Sequence, residues 1–261
     1  MNTVNTIQMY TIILAGGLGK RMNSDIPKVL HKVDDIPMIC HVIKQAFKVN
    51  SNEILIVVGR YKNIIESTIN EFFSKKENQS IKYILQEDQT VDGKIKTMGT
   101  GDAIRCCIPY LQKIRNTGSE QVIILSGDVP LIQHKTIEML LTSKNALLTS
   151  FLQEPFGCGR IFMNEYGGIT NIVEEKDCND EEIKCKQVNC GIYNLNIDTI
   201  IKCVPLIDNN NKSEEYYLTD IVEIANNHNI SIHSVLLPLQ NSSEILNVNT
   251  PNDLKIANST T

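Results

Sequence analysis

The feature that most constrains this chain is an apolar run that ends in a glycine-rich loop. The run spans Met9 to Leu14, and the loop reads Ala15-Gly16-Gly17-Leu18-Gly19-Lys20-Arg21-Met22. Glycines let backbone N–H groups approach anionic oxygens closely and adopt positive φ where that is needed. Arg21 and, a few residues later, Lys28 add positive charge. The pattern predicts a strand that opens into a polyphosphate-binding loop.

Two familiar nucleotide loops are excluded by the order of these residues. A dinucleotide fingerprint requires G-x-G-x-x-G, and Met22 stands where its last glycine belongs. A Walker loop requires G-x-x-x-x-G-K-[S/T], whereas Leu14 occupies its first glycine position and Arg21 follows the Gly-Lys pair. The loop is therefore of a third kind.

The first part of the chain alternates apolar runs with helical patterns, which is typical of parallel βαβ units. The predicted strands are Met9–Leu14, Glu53–Val58, Ile81–Leu85, Gln121–Ser126 and Ala146–Phe151. The predicted helices are Pro37–Val49, Tyr61–Phe73, Gly99–Ile114 and His134–Thr142. We therefore expect an α/β protein with a Rossmann-like, mostly parallel sheet flanked by helices.

The sequence pattern changes after Pro155 and indicates a smaller, mixed β lobe. Strands are predicted at 158–163, 168–174 and 187–195, followed by helices at Ile197–Val204 and Glu214–Asn227, a strand at Ser231–Leu237 and a helix at Pro251–Ala257. The expected organisation is a tail at 1–8 and one domain at 9–261. Residues 9–155 and 230–261 would form its nucleotide-binding part, and residues 156–229 its sugar-binding lobe.

Composition narrows the class of protein. The net charge of −5 and the pI of about 5.6 argue against nucleic-acid binding, which needs a basic face. No apolar run approaches the roughly 20 residues that span a bilayer, and the polar start of the chain lacks the pattern of a signal peptide. Eight cysteines without a C-x-x-C pair indicate free thiols in a reducing compartment. We therefore expect a cytoplasmic protein that binds neither nucleic acid nor membranes.

Polar residues follow several predicted strands, where ligands bind in open α/β sheets. Asp128 and Asn249 offer hard oxygen ligands suited to Mg²⁺, although each is equally suited to a turn or helix cap. Gln86 can read a base edge with its paired donor and acceptor. Glu174 and Asn189, each at the end of a predicted strand, suit the adjacent hydroxyls of a sugar. Each residue taken alone is weak evidence.

The motifs together resemble the sugar nucleotidyltransferase family, and specifically the uridylyltransferase domain of bacterial bifunctional UDP-N-acetylglucosamine pyrophosphorylases. The resemblance covers nearly the whole chain. It rests on Leu14-Ala15-Gly16-Gly17-x-Gly19-x-Arg21-Met22, Pro27-Lys28-Val29-Leu30-His31, Gly99-Thr100-Gly101, Gly127-Asp128-Val129-Pro130-Leu131-Ile132, Gly157-x-Gly159-Arg160-Ile161, Ile172-Val173-Glu174-x-Lys176-Asp177, Asn189-x-Gly191-Ile192-Tyr193, Glu215-Tyr216-Tyr217-Leu218-Thr219-Asp220 and Val248-Asn249.

The resemblance implies a role for each matching residue. The backbone of Leu14, Ala15, Gly16 and Gly17 would cradle the nucleotide, with Arg21 at the β- and γ-phosphates and Lys28 at the α-phosphate. Uracil would be read by Gln86, Gly99 and Thr100. Mg²⁺ would be held by Asp128 and Asn249. The sugar would be bound by Gly159, Glu174, Asn189, Tyr217 and Thr219.

The implied reaction joins UTP to a sugar 1-phosphate, with N-acetylglucosamine 1-phosphate expected, and releases pyrophosphate. The sugar phosphate is already a charged nucleophile, so positioning and charge neutralisation are the main requirements. The chain departs from the family pattern in three places. Residues 90–97 are inserted before Gly99, Asp102 stands where the family usually has histidine, and Cys158 replaces a customary aromatic.

Three hypotheses follow. The first is a monofunctional UDP-sugar pyrophosphorylase. The second is a related enzyme that joins UTP or dTTP to glucose 1-phosphate or another hexose phosphate. The third is a non-catalytic regulatory homologue, which would have no need of Arg21, Lys28, Asp128 and Asn249 together. The chain also shows no hexapeptide pattern after residue 240, so we expect no β-helix acetyltransferase domain, and a monomer or homodimer rather than the trimer of the bifunctional enzymes.

Overall fold

A mixed nine-stranded sheet forms the centre of the protein in the computed structural model, which describes residues 8–91 and 94–260. The strands within those residues are β1 (Met9–Leu14), β2 (Lys32–Val33), β3 (Ile36–Pro37), β4 (Glu53–Val58), β5 (Ile81–Leu85), β6 (Gln89–Val91), β7 (Lys94–Lys96), β8 (Gln121–Ser126), β9 (Ala146–Phe151), β10 (Arg160–Met163), β11 (Ile169–Val173), β12 (Gln187–Asn196) and β13 (His233–Leu236). The helices are α1 (Met38–Lys48), α2 (Lys62–Phe72), α3 (Lys75–Gln79), α4 (Thr100–Ile114), α5 (His134–Leu140), α6 (Ile197–Cys203), α7 (Ile221–Asn227) and α8 (Pro251–Thr260).

The sheet combines a parallel half with one long antiparallel strand. In the parallel half the order is β5-β4-β1-β8, with β1 between β4 and β8. Strand β12 pairs antiparallel with β8 on one side and with β9 on the other, and β13 adds parallel to β9. The first half of β12 also pairs with β10, which pairs with β11. The smaller branch is therefore hydrogen-bonded to the main sheet through β12.

Helices cover both faces of the sheet because its central strands are apolar on both sides. On β1, Ile13 belongs to a buried cluster that includes residues of α1, α2 and α5. Its neighbour Ile12 belongs to the opposite cluster, with residues of α4, α6 and α7. Alternate residues of a strand point to opposite faces, so a continuous apolar run fits a strand buried on both sides.

The fold predicted from the sequence is confirmed. The five strands predicted in the first part of the chain have the predicted bounds, and the four helices predicted there agree within two residues, whereas the short helix α3 was not predicted. The strands predicted at 158–163, 168–174 and 187–195 are present as β10, β11 and β12. Among residues 8–91 and 94–260, no helix combines the length and apolar composition needed to cross a bilayer.

The helix predicted over Glu214–Asn227 is wrong in its first half. Helix α7 begins at Ile221, after a 3₁₀ turn at Leu218–Asp220. Before that turn, Tyr216 donates its backbone N–H to Met98 (2.9 Å) and accepts from the N–H of Gly101 (2.7 Å). Glu214 has a positive φ of 51°. Tertiary pairing of the backbone therefore replaces the helical hydrogen bonds that the pattern favoured.

Candidate active site

A cavity of about 440 Å³ lies where the glycine-rich loop leaves β1. Its lining residues are Gly17, Leu18, Gly19, Lys20, Arg21, Lys28, Lys96, Thr97, Ser213, Glu215 and Asn249. Four of these side chains are cationic and one is a carboxylate. This excess of positive charge, next to exposed loop backbone, suits a polyanionic ligand.

The loop is fixed by hydrogen bonds and one tight backbone contact. The N–H of Ala15 donates to the carbonyl of Val57 (2.8 Å), and the following 3₁₀ turn buries Met22. Gly19 has a φ of 62°, and a Cβ there would lie 2.7 Å from the Cβ of Lys28. A positive φ favours glycine, and a contact this close leaves no space for a side chain. The loop therefore places Lys28 at the cavity wall.

Lys28 joins two residues that are far away in the sequence. Its ammonium forms an ion pair with Asp128 and donates to Oδ1 of Asn249 at 3.0 Å. Asp128 also accepts from the hydroxyl of Ser126 (2.7 Å), and its backbone carbonyl accepts from the N–H of Val248 (2.9 Å). The Asp128 side chain is only 7% exposed. The structure thus brings together the two predicted metal ligands and the predicted catalytic lysine.

Gln86 lies just after β5, on the side of the loop next to Gly16. Its side-chain NH₂ donates to the carbonyl of Gly99 (3.0 Å) and to Oδ2 of Asp102 (2.9 Å). A Cβ on Gly16 would lie 2.9 Å from Oε1 of Gln86. An amide NH₂ has two hydrogens, and both are used here. The sequence predicted that Gln86 offers both a donor and an acceptor to a base. In the structure both amide hydrogens are used within the protein, and the carbonyl oxygen of Gln86 is the group left for a base.

The predicted sugar-binding residues form a third cluster around Glu174. Oε1 of Glu174 accepts from the hydroxyl of Thr219 (3.0 Å), and a Cβ on Gly159 would lie 3.4 Å from that same oxygen. The N–H of Asn189 donates to the carbonyl of Gly159 (2.9 Å), and its side-chain amide donates to the hydroxyl of Tyr193 (2.7 Å). Four of the five predicted sugar ligands are therefore linked to one another.

Burial raises the pKa of Glu174 in this third cluster and of Asp220, which follows Thr219. Burial raises the pKa of Glu174 above its ordinary value, and the hydrogen bond from Thr219 opposes that shift only in part. Burial, with Asp208 and Glu174 as nearby negative charges, raises the pKa of Asp220 to about 7. Desolvation disfavours the charged form of a carboxyl, and like charges add to the effect.

Residues 213–219, which the sequence predicted as helix from Glu214 onward, connect the three clusters. Ser213 and Glu215 line the cationic cavity, and the hydroxyl of Thr97 donates to Oε1 of Glu215 (3.0 Å). Tyr216 pairs through its backbone with the turn that holds Gly99, as described above. Thr219 reaches Glu174. The fifth predicted sugar residue, Tyr217, lies half-buried in this segment.

The other predicted site residues occupy the inner side of the loop and the start of α4. Leu14 accepts the backbone N–H of Gly127 (2.9 Å), which fixes the turn before Asp128. The hydroxyl of Thr100 accepts the N–H of Leu218 (3.1 Å). Gly99 has a φ of 94° and packs against the backbone of Tyr216.

Sequence reasoning missed Lys96 and Asp102 as members of the site. Lys96 lies on β7, which pairs antiparallel with β6, and the two strands fall largely within the inserted residues 90–97. Asp102 lies in the first turn of α4. The departure from the family pattern at both places was the only signal in the sequence.

Comparison with known proteins shows the family of the chain. Residues 11–150 match a family model described as a MobA-like NTP transferase domain. The chain is 42% identical over 257 residues to a probable UDP-N-acetylglucosamine pyrophosphorylase of Acanthamoeba polyphaga mimivirus, covering 95% of this chain and 94% of that protein.

A second relative is longer than the present chain. The chain is 37% identical over 245 residues to the bifunctional protein GlmU of Francisella tularensis subsp. novicida, covering 92% of this chain and 49% of that protein. The chain thus spans about half the length of this relative.

A solved structure shares the fold. It is a putative glucose-1-phosphate thymidylyltransferase from Bacillus anthracis in complex with sucrose, with a TM-score of 0.69 and 18% identity, covering 97% of this chain and 94% of that one. At that identity the likeness concerns the fold alone. The family model and the two sequence relatives go further, and on their combined match the chain belongs to the nucleotidyltransferases that carry the MobA-like NTP transferase domain.

Proposed function

We propose that the protein transfers uridylyl from UTP to N-acetylglucosamine 1-phosphate, forming UDP-N-acetylglucosamine and pyrophosphate with the help of Mg²⁺. The observation that carries the proposal is the contact of Lys28 with both Asp128 and Asn249 at the wall of a cationic cavity. The relatives at 42% and 37% identity support the choice of substrates, since the first is named a probable UDP-N-acetylglucosamine pyrophosphorylase.

The proposed reaction needs alignment and charge neutralisation rather than a general base. A sugar 1-phosphate is already anionic, so it requires no deprotonation before it attacks the α-phosphate. Lys28 and Arg21 line the same cavity. In the proposal the Lys28 ammonium would contact the α-phosphate and Arg21 would contact the leaving pyrophosphate. Fixed cations in a partly desolvated site stabilise the charge that develops as the P–O bond breaks.

The donor set near Lys28 fits Mg²⁺. Asp128 and Asn249 each turn a side-chain oxygen toward the same ammonium, so their oxygens already share one cationic neighbour. Mg²⁺ prefers one or two protein oxygens together with phosphate oxygens and waters. No group of three or more His, Cys, Asp or Glu side chains in the described ranges forms a metal cage of its own. When bound, the ion would neutralise charge on the phosphoryl oxygens.

The sugar would be bound at Glu174, Asn189 and Thr219, with Gly159 leaving space beside Glu174. Tyr217 would complete this side of the pocket. Among the residues near it, Cys158 is smaller than the aromatic expected from the family pattern. A smaller side chain at this point would relax the choice of sugar, so another hexose 1-phosphate is the second candidate substrate.

All eight cysteines are free. Reduced thiols are typical of proteins in reducing compartments. We therefore include a cytoplasmic location in the proposal.

Pyrophosphate release across a panel of substrates tests the proposal. UTP and dTTP would each be combined with N-acetylglucosamine 1-phosphate and with glucose 1-phosphate, with and without Mg²⁺. We expect kcat/KM with UTP to be about 10- to 100-fold higher for the amino sugar, because a pocket group that pairs with its amide is left unpaired by glucose. A preference for glucose 1-phosphate would overturn the choice of sugar. No turnover with any pair would favour a non-catalytic role.

A further inference from the structure

The orientation of the Gln86 amide is fixed by its neighbours. The two groups that face its nitrogen are the carbonyl of Gly99 at 3.0 Å and a carboxylate oxygen of Asp102 at 2.9 Å. Both groups are acceptors only, so they select the NH₂ end of the amide. The opposite orientation would set the amide oxygen against two other oxygens.

This orientation leaves the carbonyl oxygen of Gln86 directed toward the nucleotide loop. A Cβ on Gly16 would lie 2.9 Å from that oxygen, whereas no side chain stands there in the protein. A nucleobase that binds beside Gln86 would therefore meet a hydrogen-bond acceptor. A uracil or thymine ring carries an N–H at position 3 that can donate to it, whereas the same position of cytosine is an acceptor.

Asp102 is itself held in place. It lies in the first turn of α4, where a carboxylate is favoured by the helix dipole, and its side chain is 19% exposed. The guanidinium of Arg105 approaches Asp102 at 3.9 Å, donates to the carbonyl of Ile207 (2.7 Å) and stacks on the ring of Tyr216 at 4.2 Å. The carboxylate is therefore anchored on the same turn that holds Gly99.

We infer that Asp102 is a positioning residue that selects the nucleobase by locking Gln86 as an acceptor. The inference rests on the proposed function in that the base is taken to lie against Gln86. Gly99 alone would hold one of the two amide hydrogens, and the side chain would then rotate more freely. Without Asp102, the Gln86 amide could present either its donor or its acceptor to a base. With Asp102 in place, it presents the carbonyl oxygen, which accepts from a ring N–H.

Two substitutions with a matched control test the role of Asp102. Asp102→Leu removes the acceptor at similar size, and Asp102→Asn keeps one acceptor oxygen but adds a competing NH₂. The control is Asp88→Asn, because Asp88 lies two residues after Gln86 and pairs with Arg60 at 2.8 Å without touching the Gln86 amide. Thermal unfolding of all variants would show that each remains folded. Equilibrium binding of UTP and CTP, measured by calorimetry, needs no turnover and so reports on the base alone.

We expect the wild-type protein and Asp88→Asn to bind UTP more tightly than CTP. In Asp102→Leu the ratio of the two affinities should fall on the order of tenfold, since a hydrogen bond to a charged group is lost. The ratio of the two affinities in Asp102→Asn should lie between those of the wild-type protein and Asp102→Leu. In kinetic assays the KM for UTP should rise while kcat changes little, because the phosphate end of the site is intact.

The results separate this inference from the proposed function. Equal binding of UTP and CTP by the wild-type protein would overturn the role of Asp102, even if the protein forms UDP-N-acetylglucosamine. An unchanged ratio of UTP to CTP affinity in folded Asp102→Leu would overturn the role of Asp102 as well. If the leucine variant does not fold, the same result in Asp102→Asn would overturn it. A protein that prefers UTP, loses that preference in the variants and yet uses a different sugar would support Asp102 and contradict the proposed sugar.

Discussion

The backbone of Gly19 lies directly against the side chain of Lys28. A Cβ on residue 19 would stand 2.7 Å from the Cβ of Lys28, and Gly19 also has a φ of 62°. The glycine-rich loop and the lysine that faces Asp128 are thus fixed relative to each other by a contact without space for a methyl group. Gly19 is therefore part of the geometry of the site although it offers no side chain.

Gly19→Ala should lower kcat/KM at least tenfold, because the added methyl group displaces Lys28. The matched control is Gly167→Ala, since Gly167 has a φ of 78° and open space around it. Both alanines adopt a left-handed conformation at a cost of about 1 kcal/mol, so both variants should show a lower melting temperature. Steady-state kinetics should separate them. Equal activity of the two variants would show that the contact with Lys28 is not functional.

Lys28→Ala should lower kcat more than it raises the KM for UTP. In the proposed reaction the ammonium contacts the α-phosphate, where charge reorganises during attack, so its effect should be larger in the transition state than in the bound ground state. Lys20→Ala is the comparison, because Lys20 lines the same cavity but is exposed, and salt screens an exposed charge. Normal turnover of Lys28→Ala at saturating UTP would mean that the lysine only binds phosphate.

Asp128→Ala should reduce turnover by about 10²- to 10³-fold, as commonly found when one catalytic charge contact is removed. Asn249→Ala should instead raise the Mg²⁺ concentration needed for half-maximal activity, with a smaller loss at saturation, because water can replace a neutral ligand. Titrations of activity against Mg²⁺ measure both effects. Wild-type turnover by Asp128→Ala at high Mg²⁺ would contradict the metal assignment.

Lys96→Ala should raise the KM for UTP several-fold and leave kcat nearly unchanged. Lys96 lines the cationic cavity, yet in the present structure it pairs with Glu214 on the exposed rim. It therefore adds charge for binding without touching Asp128 or Asn249. Lys82→Ala is the control, since Lys82 donates to the carbonyl of Gln79 (2.7 Å), away from the cavity. An identical KM in the two variants would exclude Lys96 from nucleotide binding.

Asp220→Asn should stabilise the protein at pH 8 and have little effect near pH 4. Burial and nearby Asp208 raise the pKa of Asp220 to about 7, from an ordinary value of 3.8. The folded protein then holds an extra proton between those values, so the stability from this group is complete below about pH 4 and is lost as the pH rises to 7. Melting temperatures of both proteins at the two pH values measure this. A difference in melting temperature between the two proteins that is the same at pH 4 and at pH 8 would contradict the raised pKa of Asp220.

The parallel half of the sheet was predictable because its signal is local. Strands such as Glu53–Val58 are apolar on both faces, and Asn50-Ser51-Asn52 marks the end of the preceding helix. Asp128 follows the buried strand β8, so its place at the edge of the sheet also follows from the sequence. Asn249 follows a 3₁₀ helix and a mostly accessible loop, and it meets Asp128 through their shared contact with Lys28. Motif order along the chain indicated the rest of the site.

Contacts between distant segments were not predictable from local patterns. Residues 214–217 have a helical pattern, but the backbone of Tyr216 pairs with the turn around Gly99, more than a hundred positions away. The sequence does not indicate how the Gln86 amide is oriented, because that orientation is set by Asp102 and Gly99, which face its nitrogen in the fold. The hairpin of β6 and β7, which brings Lys96 to the cavity, arises within residues that the family pattern does not contain.

Strand β12 has a consequence for attempts to change the specificity of this protein. It pairs with β8, β9 and β10, so residues 187–196 complete the edges of three other strands. A fragment that stopped before residue 187 would leave those edges open, and open edges promote aggregation. Strands β10 and β11 are therefore not an exchangeable module. Substrate preference should be re-engineered by single substitutions around Glu174 rather than by grafting a lobe from a relative.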